Sequence, residues 1–177
     1  MRIVFMGTPD FAVPVLKMLA EKHDVVAVVT REDKAKGRKK KLEPTPVKVA
    51  AIELGIDVLQ PRTAKEPDFI EKMRELAPEL MITAAYGRIL PQDILDIPPK
   101  GCINVHASLL PKYRGASPIQ TAIINGDKET GVTIMRTELS LDTGDIIAQE
   151  KLAIKDYETT GELSDRLSEL GSNLLLE

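Results

Sequence analysis

Residues 3–9, Ile-Val-Phe-Met-Gly-Thr-Pro, carry the clearest fold signal in the chain. Four consecutive apolar residues ended by a glycine predict a strand that is buried on both faces, since a half-exposed strand alternates apolar and polar residues. Thr8 and Pro9 then predict a helix start, with threonine as the N-cap and proline as the first helical residue. A buried strand that leads directly into a helix is typical of parallel α/β sheets.

The same alternation continues outward along the chain. Further apolar runs predict strands at 25–29, 58–59, 80–85, 102–106, 131–136 and 146–154. Cap residues, prolines and glycines predict helices at 45–55, 67–76, 117–126 and 159–176. We therefore expect an α/β fold, Rossmann-like and doubly wound, with a mostly parallel sheet and helices on both of its faces. Ligands of such sheets bind beyond the carboxyl ends of the strands.

Length and composition exclude several classes of protein. The 177 residues fit one domain, and no apolar run approaches the roughly 18 residues of a membrane span. The only cysteine, Cys102, excludes an intramolecular disulfide and a cysteine-based zinc site, and it is predicted to be a small core residue. We expect a cytoplasmic protein that carries no metal.

Charge is unevenly distributed along the chain. The net charge is −3, yet residues 31–48 carry eight positive and three negative side chains, so this segment is +5 and the remainder is −8. A basic segment on an acidic body predicts contact with a polyanion such as a nucleic acid. A solvated surface loop is the alternative.

Asn104 and His106 stand at the end of a predicted strand. Residues two apart on a strand point to the same side, so the amide and the imidazole share a face. Such a pair can stabilise an oxyanion. The alternative is a polar pair that is merely hydrogen-bonded at a strand end.

Residues 141–145, Leu-Asp-Thr-Gly-Asp, place two carboxylates around a turn. One of them could orient His106 or take part in proton transfer, and a solvated turn is the alternative. The Asp-Thr-Gly of aspartic proteases belongs to all-β folds, so it does not suit a chain with this many predicted helices. Residues 7–10 lack the second and third glycines of a dinucleotide-binding loop and predict a plain turn.

Four stretches together carry a resemblance to a known family. They read Gly-Thr-Pro-Asp-Phe-Ala at 7–12, Asn-Val-His-Ala-Ser-Leu-Leu-Pro-Lys-Tyr-Arg-Gly-Ala-Ser-Pro-Ile at 104–119, Gly-Val-Thr-Ile-Met at 131–135 and Leu-Asp-Thr-Gly-Asp-Ile at 141–146. Over essentially its whole length the chain resembles the methionyl-tRNA formyltransferase family, within the 10-formyltetrahydrofolate transformylase group. The resemblance implies the formyltransferase fold and a catalytic domain over residues 1–177, without the family's C-terminal β-barrel domain.

The resemblance also implies an activity. We expect transfer of a formyl group from 10-formyltetrahydrofolate, as co-substrate, to the amino group of methionine on charged initiator tRNA, for translation initiation. It implies no metal, no membrane and no obligate protein partner. Asn104, His106 and Asp142 match the family's catalytic residues. Asn104 and a protonated His106 would stabilise an oxyanion, while Asp142 would stabilise the imidazolium and relay the amine proton through water.

Binding residues follow from the same resemblance. Those implied for folate are Arg88, Ile89, Leu90, Ser108, Leu109, Leu110, Pro111 and Asp142. Those implied for tRNA lie in an insertion at 31–46 and are Arg38, Lys39, Lys40 and Lys41. The insertion departs from the family pattern, because Arg31-Glu32-Asp33 replaces Gln-Pro-Asp and Lys39 replaces the second glycine of Gly-Arg-Gly.

Two other functions stay open on the sequence. One is a transformylase for a small amine such as glycinamide ribonucleotide, which the basic segment and residues 7–12 disfavour. The other is a tRNA-binding module without catalysis, against which Asn104, His106 and Asp142 argue.

Overall fold

The computed structural model describes residues 1–36 and 41–176. In these residues the strands are β1 (Arg2–Gly7), β2 (Asp24–Val29), β3 (Lys34–Lys36), β4 (Lys41–Glu43), β5 (Val58–Leu59), β6 (Leu80–Ala84), β7 (Cys102–His106), β8 (Glu129–Arg136) and β9 (Ile146–Ala153). The helices are α1 (Ala12–Lys22), α2 (Pro46–Glu53), α3 (Pro67–Leu76), α4 (Gln92–Leu95), α5 (Pro118–Ile124) and α6 (Thr160–Leu174).

The main sheet has the strand order β5-β2-β1-β6-β7-β8-β9. The first five strands in this order, β5, β2, β1, β6 and β7, are parallel to one another. Strands β8 and β9 continue the sheet in antiparallel pairing. The predicted mostly parallel α/β sheet is therefore confirmed. The carboxyl ends of β1, β2, β6 and β7 lie at one edge, where a ligand crevice is expected.

Helices cover both faces of the sheet, as predicted. Ile3 and Phe5 of β1 pack into one apolar cluster with residues of α1, α2, α5 and α6. Val4 and Met6 point the other way, into a second cluster with residues of α3 and α4. This two-sided burial explains why β1 reads as a continuous apolar run.

The predicted start of the first helix at Thr8 and Pro9 is wrong, because α1 begins at Ala12. The Ala12 amide donates to the Pro9 carbonyl at 3.0 Å, so residues 9–12 form a turn ahead of the helix, and no side chain caps its start. The Thr8 hydroxyl donates to the Tyr86 carbonyl at 3.0 Å. A Cβ on Gly7 would lie 2.7 Å from the Ala12 Cβ and 3.0 Å from the Ala84 carbonyl oxygen, so only glycine fits. The turn therefore binds the loop after β1 closely to the loop after β6.

The basic segment contains a short hairpin, which the sequence did not predict. Strands β3 and β4 pair in antiparallel fashion, with Lys34 opposite Glu43. Three-residue strands rich in lysine lack the apolar pattern on which strand prediction depends. The helix predicted just beyond is confirmed, since the Thr45 hydroxyl accepts from the Lys48 amide at 3.1 Å and Pro46 follows.

The C-terminal helix supports the strand that carries His106. Thr159 and Glu162 form the predicted capping box at the start of α6. A Cβ on Gly171 would lie only 2.8 Å from Val105 Cγ1, so the glycine lets α6 approach β7 closely. Among the described residues, none of the helices combines the length and apolarity that a membrane crossing requires.

Candidate active site

Strand β7 presents Asn104 and His106 on one face, as predicted from their spacing. His106 is only 6% exposed, whereas Asn104 is partly exposed. The strand lies between β6, to which it is parallel, and β8, to which it is antiparallel. Asn104 pairs with Thr83 of β6 and Met135 of β8, and His106 pairs with Thr133 of β8, so the sheet fixes both residues near the carboxyl end of β7.

Thr83 of β6 sets the orientation of the Asn104 amide. The Thr83 hydroxyl donates to Asn104 Oδ1 at 2.8 Å. Since this contact occupies the amide oxygen, the Nδ2 amino group is the end that remains to donate to a substrate oxygen. The arrangement suits stabilisation of developing negative charge.

Asp142 lies beside the His106 imidazole, next to Nδ1. His106 Nδ1 lies 3.7 Å from Asp142 Oδ1, and the two side chains are 7% and 11% exposed. The second ring nitrogen, Nε2, lies 2.9 Å from the Tyr113 carbonyl oxygen. A nearly dry carboxylate–imidazole pair can accept, hold or release a proton.

The turn around Asp142 is held to the rest of the site. Asp142 has a φ of 51°, and its Oδ2 accepts from the Gly115 amide at 2.7 Å. A Cβ on Gly144 would lie 2.0 Å from the Arg136 carbonyl oxygen, so glycine is required there. Asp145 is exposed. Asp145 is therefore the solvent-exposed carboxylate of the turn, whereas the Asp142 carboxylate points inward toward His106 and Gly115.

The loop after β6 contains the first predicted folate segment. The Arg88 guanidinium donates to the Pro61 carbonyl at 2.6 Å and pairs with Glu32, so it fixes the loop from behind. Leu90 is buried, but Ile89 is 68% exposed. The loop therefore offers the Ile89 side chain to a ligand, whereas the Arg88 and Leu90 side chains point into the protein.

The second predicted folate segment, residues 108–111, is held mainly by its own contacts. Ser108 is fully buried and donates to the Lys112 carbonyl at 2.6 Å. Leu109 packs closely against Gly131, the buried Leu110 donates its amide to the Thr133 hydroxyl, and Pro111 is exposed. The carbonyls of the loop are also bonded within the protein, that of Ser108 to the Thr133 hydroxyl and that of Leu110 to Gln149. The exposed Pro111 and the partly exposed Leu109 are the parts that a ligand can reach.

Of the four residues predicted to contact tRNA, Arg38, Lys39 and Lys40 lie outside the described residues. Lys41 is exposed on β4. Asp33, at the base of the hairpin, accepts from Lys48 Nζ at 2.8 Å and from Gln60 Nε2 at 2.7 Å. The Lys48 and Gln60 hydrogen bonds hold the pKa of Asp33 below its ordinary value.

Cys102 is a core residue, as predicted. It is 3% exposed, and burial raises the pKa of its thiol to about 11. The thiol is therefore neutral and is not a nucleophile. Within residues 1–36 and 41–176, no group of three or more His, Cys, Asp and Glu side chains is placed to hold a metal ion.

Three residues of the site were not singled out from the sequence. Thr83 orients Asn104, the Tyr113 carbonyl contacts His106, and the Gly115 amide contacts Asp142. Thr83 does leave a signal, since it is a polar residue in an otherwise apolar strand. The other two act through backbone atoms, which the sequence does not encode as a residue type.

Relatives of known name match the whole chain. It is 58% identical over 178 residues to a protein named methionyl-tRNA formyltransferase from Acetivibrio thermocellus, and 57% identical over 176 residues to one from Ruminiclostridium cellulolyticum. These matches cover 100% and 99% of the chain but only 57% and 56% of the relatives. The chain therefore spans a little over half the length of these proteins.

Solved structures share the fold. A glycinamide ribonucleotide transformylase from Symbiobacterium toebii aligns with a TM-score of 0.80 at 20% identity, over 99% of this chain and 84% of its own. A sugar N-formyltransferase from a Shewanella species aligns with a TM-score of 0.72 at 23% identity, over 99% and 66%. At this identity the similarity concerns the fold alone.

A family model bears on the whole chain as well. The model described as formyl transferase matches residues 1–177. This match has the same extent as the similarity to the named relatives. The chain therefore belongs to the formyl transferase family.

Proposed function

We propose that the protein transfers a formyl group from 10-formyltetrahydrofolate to the methionine amino group of initiator methionyl-tRNA, with its catalytic domain in residues 1–177. The observation that carries this proposal is the approach of Asp142 to His106, at 3.7 Å, beside Asn104 on the same strand face. Acyl transfer to an amine requires these parts: donors for an oxyanion and a group that accepts a proton.

Asn104 is the neutral oxyanion donor in this proposal. Its oxygen is held by Thr83, so its Nδ2 is already oriented before a substrate arrives. A donor that needs no reorientation during the reaction lowers the barrier more than a mobile one. The partial exposure of Asn104 supports access of a substrate oxygen.

His106 and Asp142 act as a unit. When the imidazole is protonated, it places a full positive charge near the oxyanion, and Asp142 stabilises that charge across 3.7 Å. The attacking amine loses a proton as its nitrogen bonds to the formyl carbon, and the departing nitrogen of the donor gains one. Asp142, with one oxygen held by Gly115, is the group suited to relay this proton through water.

The formyl donor fits the edge of the sheet where the loop after β6 and the end of β7 meet. The ring system of tetrahydrofolate has apolar faces and polar edges, and an apolar face suits the exposed Ile89 side chain. Arg88 supports this loop through Glu32 and Pro61. We assign the folate site to residues 88–90 and 108–111 together with Asp142.

The basic segment is the surface we assign to tRNA. Lys34 and Lys41 are exposed on the two arms of the hairpin, and Arg38, Lys39 and Lys40 stand between them in the sequence. Positive side chains of this kind contact phosphates. The site of action is the cytoplasm, where tRNA is charged.

Relatives support methionyl-tRNA rather than a small amine as the acceptor. Proteins named methionyl-tRNA formyltransferase are 53–58% identical to the chain, whereas the glycinamide ribonucleotide transformylases are 20–23% identical. The inward Asp142 and oriented Asn104 argue against a binding module without catalysis.

The decisive test is transfer of labelled formyl from 10-formyltetrahydrofolate by the protein as its gene encodes it. Initiator methionyl-tRNA is the acceptor, and free methionine and glycinamide ribonucleotide are the controls. We expect label only on the tRNA. Label on glycinamide ribonucleotide instead would identify a small-amine transformylase, and an absence of transfer to every acceptor would contradict the proposal.

A further inference from the structure

One ring nitrogen of His106 is bound by a backbone oxygen that the proposed chemistry does not use. His106 Nε2 lies 2.9 Å from the Tyr113 carbonyl. Because a carbonyl oxygen only accepts, Nε2 must carry the hydrogen in this contact. Nδ1 is consequently the nitrogen that faces Asp142. The Tyr113 carbonyl thereby selects the nitrogen that serves the reaction.

The carbonyl reaches His106 because of an uncommon backbone conformation. Tyr113 has a φ of 56°, in the left-handed region that residues with a side chain seldom adopt. The buried Ser108 hydroxyl holds this segment from within, at 2.6 Å from the Lys112 carbonyl and 3.3 Å from that of Tyr113. A conformation of this kind persists only where surrounding contacts enforce it.

The Tyr113 side chain supplies those contacts from outside. Its hydroxyl donates to Asp127 Oδ2 at 2.7 Å and accepts from Asn125 Nδ2 at 2.8 Å. Lys112 Nζ also reaches Asp127, at 2.9 Å, and lies 4.9 Å from the Tyr113 ring centre. Hydrogen bonds from Tyr113 and Lys112 hold the pKa of Asp127 low, so it stays an ionised acceptor.

We propose that Tyr113 is a positioning residue for His106, and that its hydroxyl, anchored on Asp127 beyond the end of α5, holds the carbonyl that directs Nδ1 toward Asp142. This inference rests on the proposed function. It adds that the Tyr113 phenol, which does not touch a reacting atom, contributes to the rate through the imidazole. A role confined to folding would leave the rate of the folded protein unchanged.

Kinetics of matched variants test the inference in the protein as its gene encodes it. Tyr113→Phe removes only the hydroxyl, and we expect kcat to fall about tenfold while KM for the folate stays the same, since small displacements at a reacting centre are costly in rate. Asp127→Ala should behave alike, whereas Asp127→Asn, which still accepts a hydrogen bond, should restore most of the rate. Lys112→Met is the control: it removes the ion pair to Asp127 and the charge near the Tyr113 ring but keeps the Tyr113–Asp127 hydrogen bond, so it should leave kcat unchanged.

Nitrogen-15 resonances of His106, assigned by comparison with His106→Gln, give a readout that needs no turnover. In the parent protein we expect a protonated, hydrogen-bonded Nε2, and in Tyr113→Phe a shift of both ring nitrogens. Unchanged resonances or an unchanged kcat in a folded Tyr113→Phe protein would overturn the inference. A parent protein without formyl transfer would instead contradict the proposed function, and the resonances alone would then decide the inference.

Discussion

At the scale of single residues, Asp142 and Asp145 share one turn but have opposite surroundings. Asp142 is 11% exposed at its side chain and contacts both Gly115 and His106, whereas Asp145 is exposed to solvent. We expect Asp142→Asn to lower kcat by about 10²-fold, in the range typical of removing a proton-transfer group, and Asp145→Asn to leave it nearly unchanged. Steady-state formylation rates of the two variants check this, and equal losses would refute the division of roles.

His106 allows a second prediction at this scale. The side chain is 6% exposed at the end of β7, where His106 pairs with Thr133 of β8, and it contributes a polar group rather than apolar packing. His106→Ala should lower formyl transfer by about 10²–10³-fold, because it removes the positive charge that the protonated imidazole places near the oxyanion. Circular dichroism and thermal unfolding verify that the variant is folded. A folded variant with most of the parent rate would remove His106 from the catalytic residues.

At the scale of elements, the hairpin β3–β4 is tied to the sheet by charged residues at its base. Asp33 bonds with Lys48 and Gln60, and Glu32 pairs with Arg88. These contacts connect the base of the basic segment with α2, with the end of β5 and with the loop that carries Ile89. Arg31 and Glu32, two of the three residues by which this insertion is expected to depart from the family pattern, lie in this junction.

The two arms of the hairpin and the basic residues between them in the sequence are the proposed tRNA surface. Replacing Arg38, Lys39, Lys40 and Lys41 with alanine should weaken tRNA binding and reduce the salt slope of log K by about one unit for each phosphate that is no longer neutralised. Affinity for the folate should stay the same. The matched control replaces four exposed lysines elsewhere: Lys17, Lys22, Lys65 and Lys128. If the salt slope of the first variant equals that of the control, the segment is a solvated loop.

The junction at Asp33 makes stability depend on pH. Its pKa is lowered in the fold by the Lys48 and Gln60 hydrogen bonds, so the contribution of Asp33 is present above its ordinary pKa of 3.8 and is lost as pH falls through the lowered value. We expect Asp33→Asn to unfold more easily than the parent near neutral pH, and the difference to vanish in acid. Denaturant unfolding at several pH values measures it, with the exposed Asp10→Asn as control. A difference that stays constant with pH would contradict this account.

At the scale of the whole molecule, the sequence predicts the buried strands and the layers of the fold better than the residues at which helices begin. Continuous apolar runs such as β1 and β6 predict buried strands because both sheet faces are covered, and the parallel sheet follows. The start of α1 is missed because the Ala12 amide closes a turn on the Pro9 carbonyl, while the Thr8 side chain contacts Tyr86, a residue 78 positions away. A tertiary contact that overrides a local preference leaves no local pattern.

The candidate site shows the same division. The shared face of Asn104 and His106 follows from spacing on one strand, so it could be predicted from the residues alone. The approach of Asp142 to His106 depends on the return of β8 and β9 beside β7, and the resemblance to a family suggested it where spacing could not. The roles of Thr83 and of the Tyr113 backbone depend on neighbouring strands and loops.

Cys102 gives this fold a built-in chemical reporter. It is the only cysteine of the 177 residues, it begins the strand that ends at His106, and its thiol is neutral and buried. Iodoacetamide should therefore modify it only when β7 opens, so the alkylation rate of this chain measures that opening. If tetrahydrofolate binds at the end of β7, about 100 Kd of it should slow alkylation roughly a hundredfold. An alkylation rate that tetrahydrofolate does not change would indicate that the folate binds away from this strand.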